Sequence, residues 1–359
     1  FSGRNAGTIN MSYASGFVFG DDYVGGFVGS NTGNINSSHA TGMIDGHNYS
    51  GGFVGNHTAG IIDSCYTTAD ISAYNNVGGF AGGGSGAATI SNSYNTNRVM
   101  AASTNIGGFI GNANSVTLTH NYSSTYIQAT AAYGFVGGLT AATMTDNYWD
   151  SDSAGAINGS DIAASSVGDY EPFTLAQMQD ENNFSDALAG TWDFTSTWTQ
   201  LDERSMPIHK ASPEGQCRDN ISATTFDALG AGTLVDPYLI CNHAQLSDID
   251  SSAANCDKFY ALGKDIDLSN YSSFGNEICG VDRFRGHFDG RNKSVFNFNT
   301  SERGLFHAVD TVVIKNLKIA NATLINPTYS SDAFVTKSLY GTNYMFNIHV
   351  NGVMEGALS

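Results

Sequence analysis

The sequence predicts an all-β protein built as a parallel β-solenoid, a fold in which short strands of successive turns stack in register. Two observations lead to this prediction. The segment Gly25-Gly26-Phe27-Val28-Gly29 recurs along residues 1–150 at intervals of 26 to 29 residues, and a fixed period in this range is typical of repeat architectures. No apolar segment within a repeat reaches helix length, and glycine flanks these segments, which favours strands.

Each repeat places aromatic residues at two positions, which we expect to form two stacked ladders. The first position holds Phe1, Phe27, Phe53, Phe80, Phe109 and Phe135. The second position holds Tyr13, His39, Tyr66, Tyr94, Tyr122 and Tyr148. One repeat cannot bury its own apolar face, whereas stacked copies about 4.8 Å apart can. We therefore expect inward ladders of Phe, Ile and Val, surface ladders of Asn, Ser, Thr and Tyr, and glycines at corners that need a positive φ.

Composition restricts the classes of partner. The chain has 15 Lys and Arg against 33 Asp and Glu among 359 residues, for a formal charge of −18. Nucleic acids and anionic membranes are bound through a basic surface, so neither is expected as a partner. No apolar run is long enough to span a bilayer, so membrane insertion is not expected. The length allows two domains.

The repeat pattern also resembles a known family. Gly-Gly-Phe-Val-Gly followed by Asn-x-Gly-x-Ile-x-x-Ser-Tyr/His, as in residues 25–39, is similar to the GLUG repeat of large bacterial surface proteins. The resemblance covers nearly all of residues 1–150. It implies an extracellular or cell-surface location, in a bacterium, and contexts such as adhesins or non-catalytic parts of IgA-specific metallopeptidases.

Residues 151–212 have a different character, because the period stops near Asp150. Residues 174–179 read as a short helix, and the three tryptophans of the chain, Trp149, Trp192 and Trp198, lie close to or within this segment. We interpret it as a cap that covers the open end of the solenoid with aromatic bulk and blocks edge pairing. An ordinary linker is the alternative.

Residues 213–359 are predicted to form a second β-helix segment. Residues 236–241 read as a strand, residues 243–249 as a short helix with Asn242 as N-cap, and residues 259–268 and 284–306 as further strands. This order resembles the segment that opens GLUG-containing β-helix domains, where a strand-helix-strand unit caps the solenoid. Near the end, Met345, His349 and Met354 have the spacing of Ile9, Tyr13 and Val18, which predicts that the sequence stops partway through a solenoid turn.

The five cysteines fall into two groups. Cys65 occupies a repeat position that is elsewhere held by Ser12, Ser38 and Ser93, so a buried free thiol is expected. The other four lie in the second segment: Cys217, Cys241, Cys256 and Cys279. They could form two disulfides, which would fit an oxidising compartment. Free thiols and a metal site remain alternatives, although the spacing contains no Cys-x-x-Cys.

The sequence contains few residue patterns that indicate a catalytic site. The sequence has no His-Glu-x-x-His, and no Gly-x-Ser-x-Gly stands on a plausible strand-to-helix turn. Asp265 and Asp267 form a same-face carboxylate pair of the kind that glycoside hydrolases use, but solvated outward residues beside Ile266 are the simpler interpretation. His287 and Asp289 flank Phe288 in the same way.

Calcium is a further ion that the sequence leaves open. Asp21, Asp22 and Asp45 are expected at turns, where carboxylate oxygens bind Ca²⁺, but solvated turn residues are the simpler interpretation. No catalytic, cofactor-binding or metal-binding residue is assigned.

Two classes of function follow. The first is a non-catalytic, extracellular structural or adhesive protein, a rod or fibre subunit whose partner is itself, through head-to-tail stacking or tandem repetition. Surface glycans or a host cell surface would be further partners. The second class is a carbohydrate-binding or polysaccharide-degrading β-helix protein. The absence of any convergent catalytic group favours the first class.

Overall fold

The computed structural model describes residues 1–154, 168–185, 192–200, 206–212, 215–217, 222–234, 236–269, 278–280, 282–291, 293–300, 304–325 and 333–355. Most of these residues are in strands that stack in parallel as a β-solenoid, which confirms the predicted fold class. The chain divides into two compact units, Phe1–His209 and Lys210–Ser359.

Each turn of the first unit contributes to four stacks of strands. The first stack contains Ser2–Asn5, Val28–Asn31, Val54–Asp63, Ala81–Ser91, Ile110–Thr119 and Val136–Asp150. The last four of these strands continue into the second stack, which begins with Thr8–Asn10 and Asn34–Asn36. The third stack contains Tyr13–Phe19, His39–Asp45, Tyr66–Thr67, Asp70–Ala73, Tyr94–Ala101 and Tyr122–Gln128. The fourth contains Asp22–Gly25, Asn48–Gly51, Asn75–Gly78 and Ile106–Gly107.

The register places equivalent residues of successive repeats side by side. In the second stack, Ile9 pairs with Ile35, and Ile35 pairs with Ile62. In the third, Tyr13 pairs with His39, and His39 pairs with Tyr66. Because these positions keep the same register in successive turns, the inward isoleucines and phenylalanines form continuous apolar ladders.

The phenylalanine ladder forms the centre of the core in the first unit. Neighbouring rings from Phe1 to Phe135 are stacked, with centroids 4.9 to 5.0 Å apart. Phe27, Phe53, Phe80, Phe109 and Phe135 are fully buried. Such offset stacking adds to the free energy gained by burying the rings.

The glycines of the Gly-Gly-Phe-Val-Gly segments have a different role from the predicted one. None of them has a positive φ, so the prediction of a positive φ is wrong for these glycines, whereas it holds for Gly16, Gly42, Gly60 and Gly86 elsewhere in the repeats. A Cβ atom added to Gly78 would lie 2.1 Å from the carbonyl oxygen of Ala81 and 2.6 Å from the amide nitrogen of Gly111 in the next turn. These positions need glycine because the backbones of adjacent turns approach too closely for a side chain.

Residues other than glycine turn the corners between the second and third stacks. A left-handed residue with φ between 44° and 55° occupies this corner in all six repeats: Met11, Ser37, Ser64, Asn92, His120 and Asp146. The amide of each of the first five donates a hydrogen bond to a carbonyl of the next turn, as Met11 does to Asn36 over 3.1 Å. Asn and Asp tolerate this conformation better than most residues, and the inter-turn hydrogen bond supports the others.

The far end of the first unit is closed by a strand. Gly168–Phe173 pairs in parallel with Val136–Asp150, and Tyr170 stacks beyond Phe135, with ring centroids 6.4 Å apart. Three short helices follow the last full turn: Ser151–Ala154, Leu175–Met178 and Asn182–Ser185. The second lies within residues 174–179, where a short helix was predicted, and Thr174 caps it in a capping box with Gln177.

The prediction that the tryptophans cover this end is wrong in its geometry. Trp149 packs inside the core of the last turn. Trp192 and Trp198 pack against the side of the solenoid, over the tyrosine ladder. The end is instead covered by the strand Gly168–Phe173, which lies within the predicted cap segment 151–212 and pairs with Met144 and residues 147–150, so that backbone groups along this part of the turn are satisfied.

The second unit opens with the predicted strand-helix-strand arrangement. Strand Tyr238–Ile240 pairs in parallel with Phe259–Leu262, and helix His243–Asp248 lies between them in sequence. The side chain of Asn242 accepts a hydrogen bond from the amide of Gln245 over 2.9 Å, which confirms it as N-cap. Three 3₁₀ helices are also present: Phe226–Ala228, Ile249–Ser251 and Ala253–Asp257.

Further parallel strands build the turns of the second unit. They are Ile266–Asp267, His287–Asp289, Ser294–Phe296, Asn299–Thr300, Phe306–Asp310, Val313–Ile325, Thr336–Tyr340 and Tyr344–Glu355. Within the described part of the first unit, Trp198–Thr199 pairs antiparallel with Ile208–His209.

The cysteines form two disulfide bonds in the second unit, Cys217–Cys241 and Cys256–Cys279. This confirms the disulfide alternative over free thiols and a metal site. Cys65 is a free thiol and fully buried, and burial raises its pKa well above the usual range. A thiol of this kind is held protonated and is a poor nucleophile.

The close approach of turns leads to a testable prediction. Replacement of Gly78 by Ala should lower the free energy of unfolding by about 3 kcal/mol or more, because the new methyl group meets only backbone atoms that cannot rotate away. Chemical denaturation measures this change. Gly3→Ala is the matched control, since a Cβ at Gly3 has no atom within 4 Å. Equal unfolding midpoints for the two variants would contradict the steric explanation.

Candidate functional surface

A ladder of aromatic rings runs along one side of the first unit. It contains Tyr13, His39, Tyr66, Tyr94, Tyr122 and Tyr148, and the measured ring centroids from Tyr13 to Tyr122 are 4.7 to 5.5 Å apart. These residues come two positions after the left-handed corner residue, those from Tyr13 to Tyr122 at the start of the strands of the third stack, and their rings stand on the outside of that stack. The ladder is therefore an apolar ridge that needs a cover.

The described residues between 173 and 209 supply this cover, which we name the aromatic strap: residues 173–185, 192–200 and 206–209. Its rings are Phe173, Phe184, Trp192, Trp198 and His209, and they pack on the tyrosines. The hydroxyl of Tyr122 donates a hydrogen bond to the carbonyl of Pro207 over 2.7 Å. The indole nitrogen of Trp192 donates to the carbonyl of Asp146 over 3.0 Å.

The strap changes the predicted surface. Tyr94, Tyr122 and Tyr148 are buried, so the expectation of a tyrosine ladder along the whole surface is wrong for this half. At the other end, Tyr13 is 42% exposed, and His39 and Tyr66 are half-buried. The exposed part of the ladder is therefore limited to the first three turns.

His209 ties the strap to the solenoid. It is almost fully buried, lies 4.7 Å from the ring of Trp198 and 5.1 Å from that of Tyr94, and its Nε2 donates to the carbonyl of Asn92 over 2.6 Å. Burial disfavours the charged form and lowers the pKa of His209 to about 4, against smaller opposing effects of Asn92 and Asp63.

Polar ladders line other columns of the first unit. On the surface, the side chain of Asn36 donates to Asn10 over 2.9 Å, and that of Asn48 donates to Asp22 over 2.9 Å. Inside, Asn5 donates to Asn31 over 2.8 Å, and Asn31 lies 3.0 Å from Nδ1 of His57. Buried polar groups are stable when they are paired in this way.

The candidate carboxylate pair of the second unit is bound to its neighbouring turn. Asp265 and Asp267 are exposed and flank the buried Ile266. Asp265 accepts a hydrogen bond from the amide of Ser294, and Asp267 accepts one from the side chain of Asn297 over 2.8 Å. Hydrogen bonds lower the pKa of Asp267. Both carboxylates therefore support the backbone and side chains of the next turn.

His287 and Asp289 likewise flank a buried residue, Phe288. The carboxylate of Asp289 lies 3.1 Å from the ammonium group of Lys315 and accepts from the side chain of Asn316. Burial lowers the pKa of His287, and the charge of Lys315 lowers it further. Asp289 is therefore paired with Lys315 and Asn316, which indicates a structural role for its carboxylate.

Two of the three aspartates that were considered as calcium ligands lie close together. Asp21, Asp22 and His47 are exposed, and their potential ligand atoms lie within 4.8 Å of one another. Asp45 is not part of this group. The imidazole of His47 lies 3.5 Å from Asp21. These residues could hold a cation, and calcium binding stays a prediction that has not been tested.

Two sheet edges expose apolar side chains among the described residues. In the first turn of the first unit, Phe1 is 69% exposed although its ring stacks on Phe27, and Phe19 is 77% exposed. In the second unit, strand Tyr344–Glu355 pairs with Val313–Ile325, and its Phe346 is 52% exposed. Exposed strand edges are sites for pairing with a further strand.

Sequence reasoning did not identify His209 or the docking of the strap. Much of the strap lies far along the chain from the tyrosines that it covers, as Pro207 lies 85 residues from Tyr122, and the strap carries no repeat pattern. The only signal was the concentration of tryptophans, which indicated aromatic packing but not its place.

Comparisons with known proteins find one similarity. Halomucin from Haloquadratum walsbyi (strain DSM 16790 / HBSQ001) is 35% identical over 105 residues, which cover 26% of this chain and 1% of Halomucin. The chain thus matches a very small part of the length of this relative. No protein-family model matches, and no solved structure matches significantly. Among the described helices, none is long and apolar enough to cross a membrane. The solenoid fold and the similarity to Halomucin fit a structural or surface protein.

The burial of His209 predicts a pH dependence of stability. Its folded-state pKa of about 4 lies below the ordinary value of 6.5, so the folded chain holds the neutral ring. Stability that is present above pH 6.5 should therefore be lost as the pH falls towards 4, by about 3 kcal/mol in total. The variant His209→Gln, which can still donate to Asn92 but does not titrate, should lack this part of the loss.

Denaturation of both proteins at neutral and acidic pH measures the difference. The control is His47→Gln, which replaces an exposed histidine and should keep the pH dependence of the parent. A pH dependence that is the same in the parent and in His209→Gln would rule out His209 as its source.

Proposed function

We propose that this protein is a non-catalytic structural or adhesive subunit of an extracellular or cell-surface rod or fibre. The observation that carries the proposal is the pair of sheet edges with exposed apolar residues, one in the first unit and one in the second. The two disulfides support an oxidising compartment. The similarity to Halomucin supports a surface role.

The resemblance to GLUG-repeat surface proteins is part of the proposal. It rests on the glycine-rich segment and on the block that follows it, and the steric need for glycine at these positions supports reading them as one repeat type. Adhesion to surface glycans or to a host cell, and a bacterial origin, remain predictions from that resemblance.

The partner that we propose is another copy of the same unit. The two edges have matching backbone features. Met11 and Asn347 are both left-handed, with φ of 44° and 54°, and a glycine follows each by five residues, at Gly16 and Gly352. Pairing Met345 with Ile9 and His349 with Tyr13 would continue the ladders of both edges.

Two forms of this assembly are possible. Units join either as a covalently continuous tandem array or as separate copies that stack head to tail. A head-to-tail contact that does not close on itself generates an extended fibre. Growth by either route gives a rod whose length is a multiple of one unit.

Electron microscopy tests the assembly. We expect negative-stain images of the concentrated protein to contain rods. Phe1→Asp should prevent stacking, because it would bury a carboxylate against an apolar cross-section, while the isolated copy should tolerate it because Phe1 is 69% exposed. The control is Tyr126→Asp, at a residue that is 59% exposed but lies away from the edge. Particles of single-unit mass at high concentration, for the parent protein, would exclude non-covalent stacking.

The absence of catalysis is tested separately. The carboxylates Asp265 and Asp267 bind groups of the next turn, which supports a structural role for them. We expect no turnover in a screen of neutral and acidic polysaccharides with reducing-end detection. Turnover that Asp265→Asn or Asp267→Asn abolishes would make the protein a polysaccharide-degrading enzyme instead.

A further inference from the structure

The sequence contains the N-glycosylation acceptor pattern Asn-x-Ser/Thr, with x not proline, at twelve asparagines. They are Asn10, Asn36, Asn48, Asn56, Asn121, Asn158, Asn183, Asn220, Asn270, Asn292, Asn299 and Asn321. The chain has 34 asparagines and 68 serines and threonines, so random placement would give about six such patterns. The pattern is therefore about twice as frequent as composition alone predicts.

The structure separates these asparagines by access to the side-chain nitrogen. Asn121 is fully buried, and its Nδ2 donates to the carbonyl of Ile90 over 2.9 Å and to Oδ1 of Asn147 over 3.0 Å. A glycan would replace one of the two hydrogen atoms on this nitrogen, so at least one of these buried hydrogen bonds would be lost, and the sugar would not fit into the core. Asn121 therefore serves as an internal negative control.

Asn321 and Asn10 have the opposite environment, because both side chains are exposed. Asn321 is itself left-handed, with φ of 47°, and Asn10 precedes the left-handed Met11. Nδ2 of Asn321 donates an exposed hydrogen bond to Oδ1 of Asn297 at 2.5 Å, for which one N–H group would remain after glycosylation, and Oδ1 of Asn10 accepts from Nδ2 of Asn36. Each acceptor thus lies at a bend of the backbone, with its side chain on the surface.

The structure also describes the hydroxyl-bearing residue of these two patterns, Ser12 for Asn10 and Thr323 for Asn321. Ser12 Oγ donates to the carbonyl of Asn10 over 2.9 Å, and Thr323 is half-buried beside strand Tyr344–Glu355. Asn321 lies in strand Val313–Ile325, which pairs with a strand on each side. Its side chain is therefore exposed although its strand is not at the edge of a sheet.

We propose that Asn321 and Asn10 are attachment sites for N-linked oligosaccharides. In the transfer, a bond forms between Nδ2 and the anomeric carbon of the first sugar. The bond from that carbon to the phosphate oxygen of a lipid-linked oligosaccharide donor breaks, the lipid phosphate leaves with the electron pair, and the amide nitrogen loses one proton. The proposal rests on the extracellular location put forward above, since the transferase acts on exported chains.

Glycopeptide mass spectrometry tests the proposal. The full chain is exported from cells that contain an N-oligosaccharyltransferase, together with a reference protein that carries one known acceptor site. We expect peptides with Asn321 and Asn10 to carry the glycan mass, and the peptide with Asn121 to be unmodified in the folded, soluble fraction. Thr323→Ala should remove the glycan at Asn321, and Thr323→Ser should retain it.

Two results would overturn the proposal. One is an unmodified Asn321 and Asn10 in exported protein while the reference site is modified in the same cells. The other is a modified Asn121 in folded protein at the same level as Asn321, because accessibility would then not select the sites. Failure of the rod proposal is distinguishable, since it is read from the particle lengths in the electron micrographs and not from the glycan mass.

Discussion

The structure depends on the close approach of backbones in successive turns. Adjacent turns exchange hydrogen bonds at the Gly-Gly-Phe-Val-Gly segments, as between the amide of Phe53 and the carbonyl of Phe80 at 2.9 Å. A side chain at Gly78 or Gly107 would meet backbone atoms of its own or the next turn at 2.1 to 2.8 Å. Glycine is therefore required by space and not by backbone conformation. The same approach keeps the phenylalanine rings at stacking distance, so the steric requirement and the core ladder have one cause.

The two aromatic ladders differ in what buries them. The phenylalanines point inward and are buried by the turns themselves, whereas the tyrosines stand outside the third stack and depend on the strap. Trp192 and Trp198 stack on each other at 4.5 Å and cover Tyr122 and Tyr148. Each tyrosine then needs a partner for its hydroxyl group, which Pro207 supplies for Tyr122. Burial also raises the pKa of Tyr122, which keeps that hydroxyl protonated as a donor.

Much of this arrangement could be predicted from the sequence, for physical reasons that also explain the failures. A period of 26 to 29 residues is visible because every turn has the same environment, and Asn242 is recognisable because capping is local. The spacing of the glycines could not show why glycine is needed at these positions, since a positive φ and a close approach of two backbones both favour glycine. The place of the strap was not predictable, because Trp198 contacts Tyr94 through packing between distant segments. For the same reason, the exposed aromatic ladder was predicted to include too many residues. Tyr94, Tyr122 and Tyr148 occupy the repeat position, but the strap, which has no repeat pattern, covers them.

The ends of the first unit are not equivalent. At one end, Pro172 lies in the covering strand Gly168–Phe173, and proline cannot donate a hydrogen bond, so it suits a strand with nothing beyond it. It is the first proline of the chain, which leaves every earlier strand with its donors. The first turn therefore presents an ordinary edge of the repeat, with Phe1 over the core ladder. The strands of the first turn contain no proline, and under the assembly proposed above theirs is the edge at which a further turn of the same type would pair.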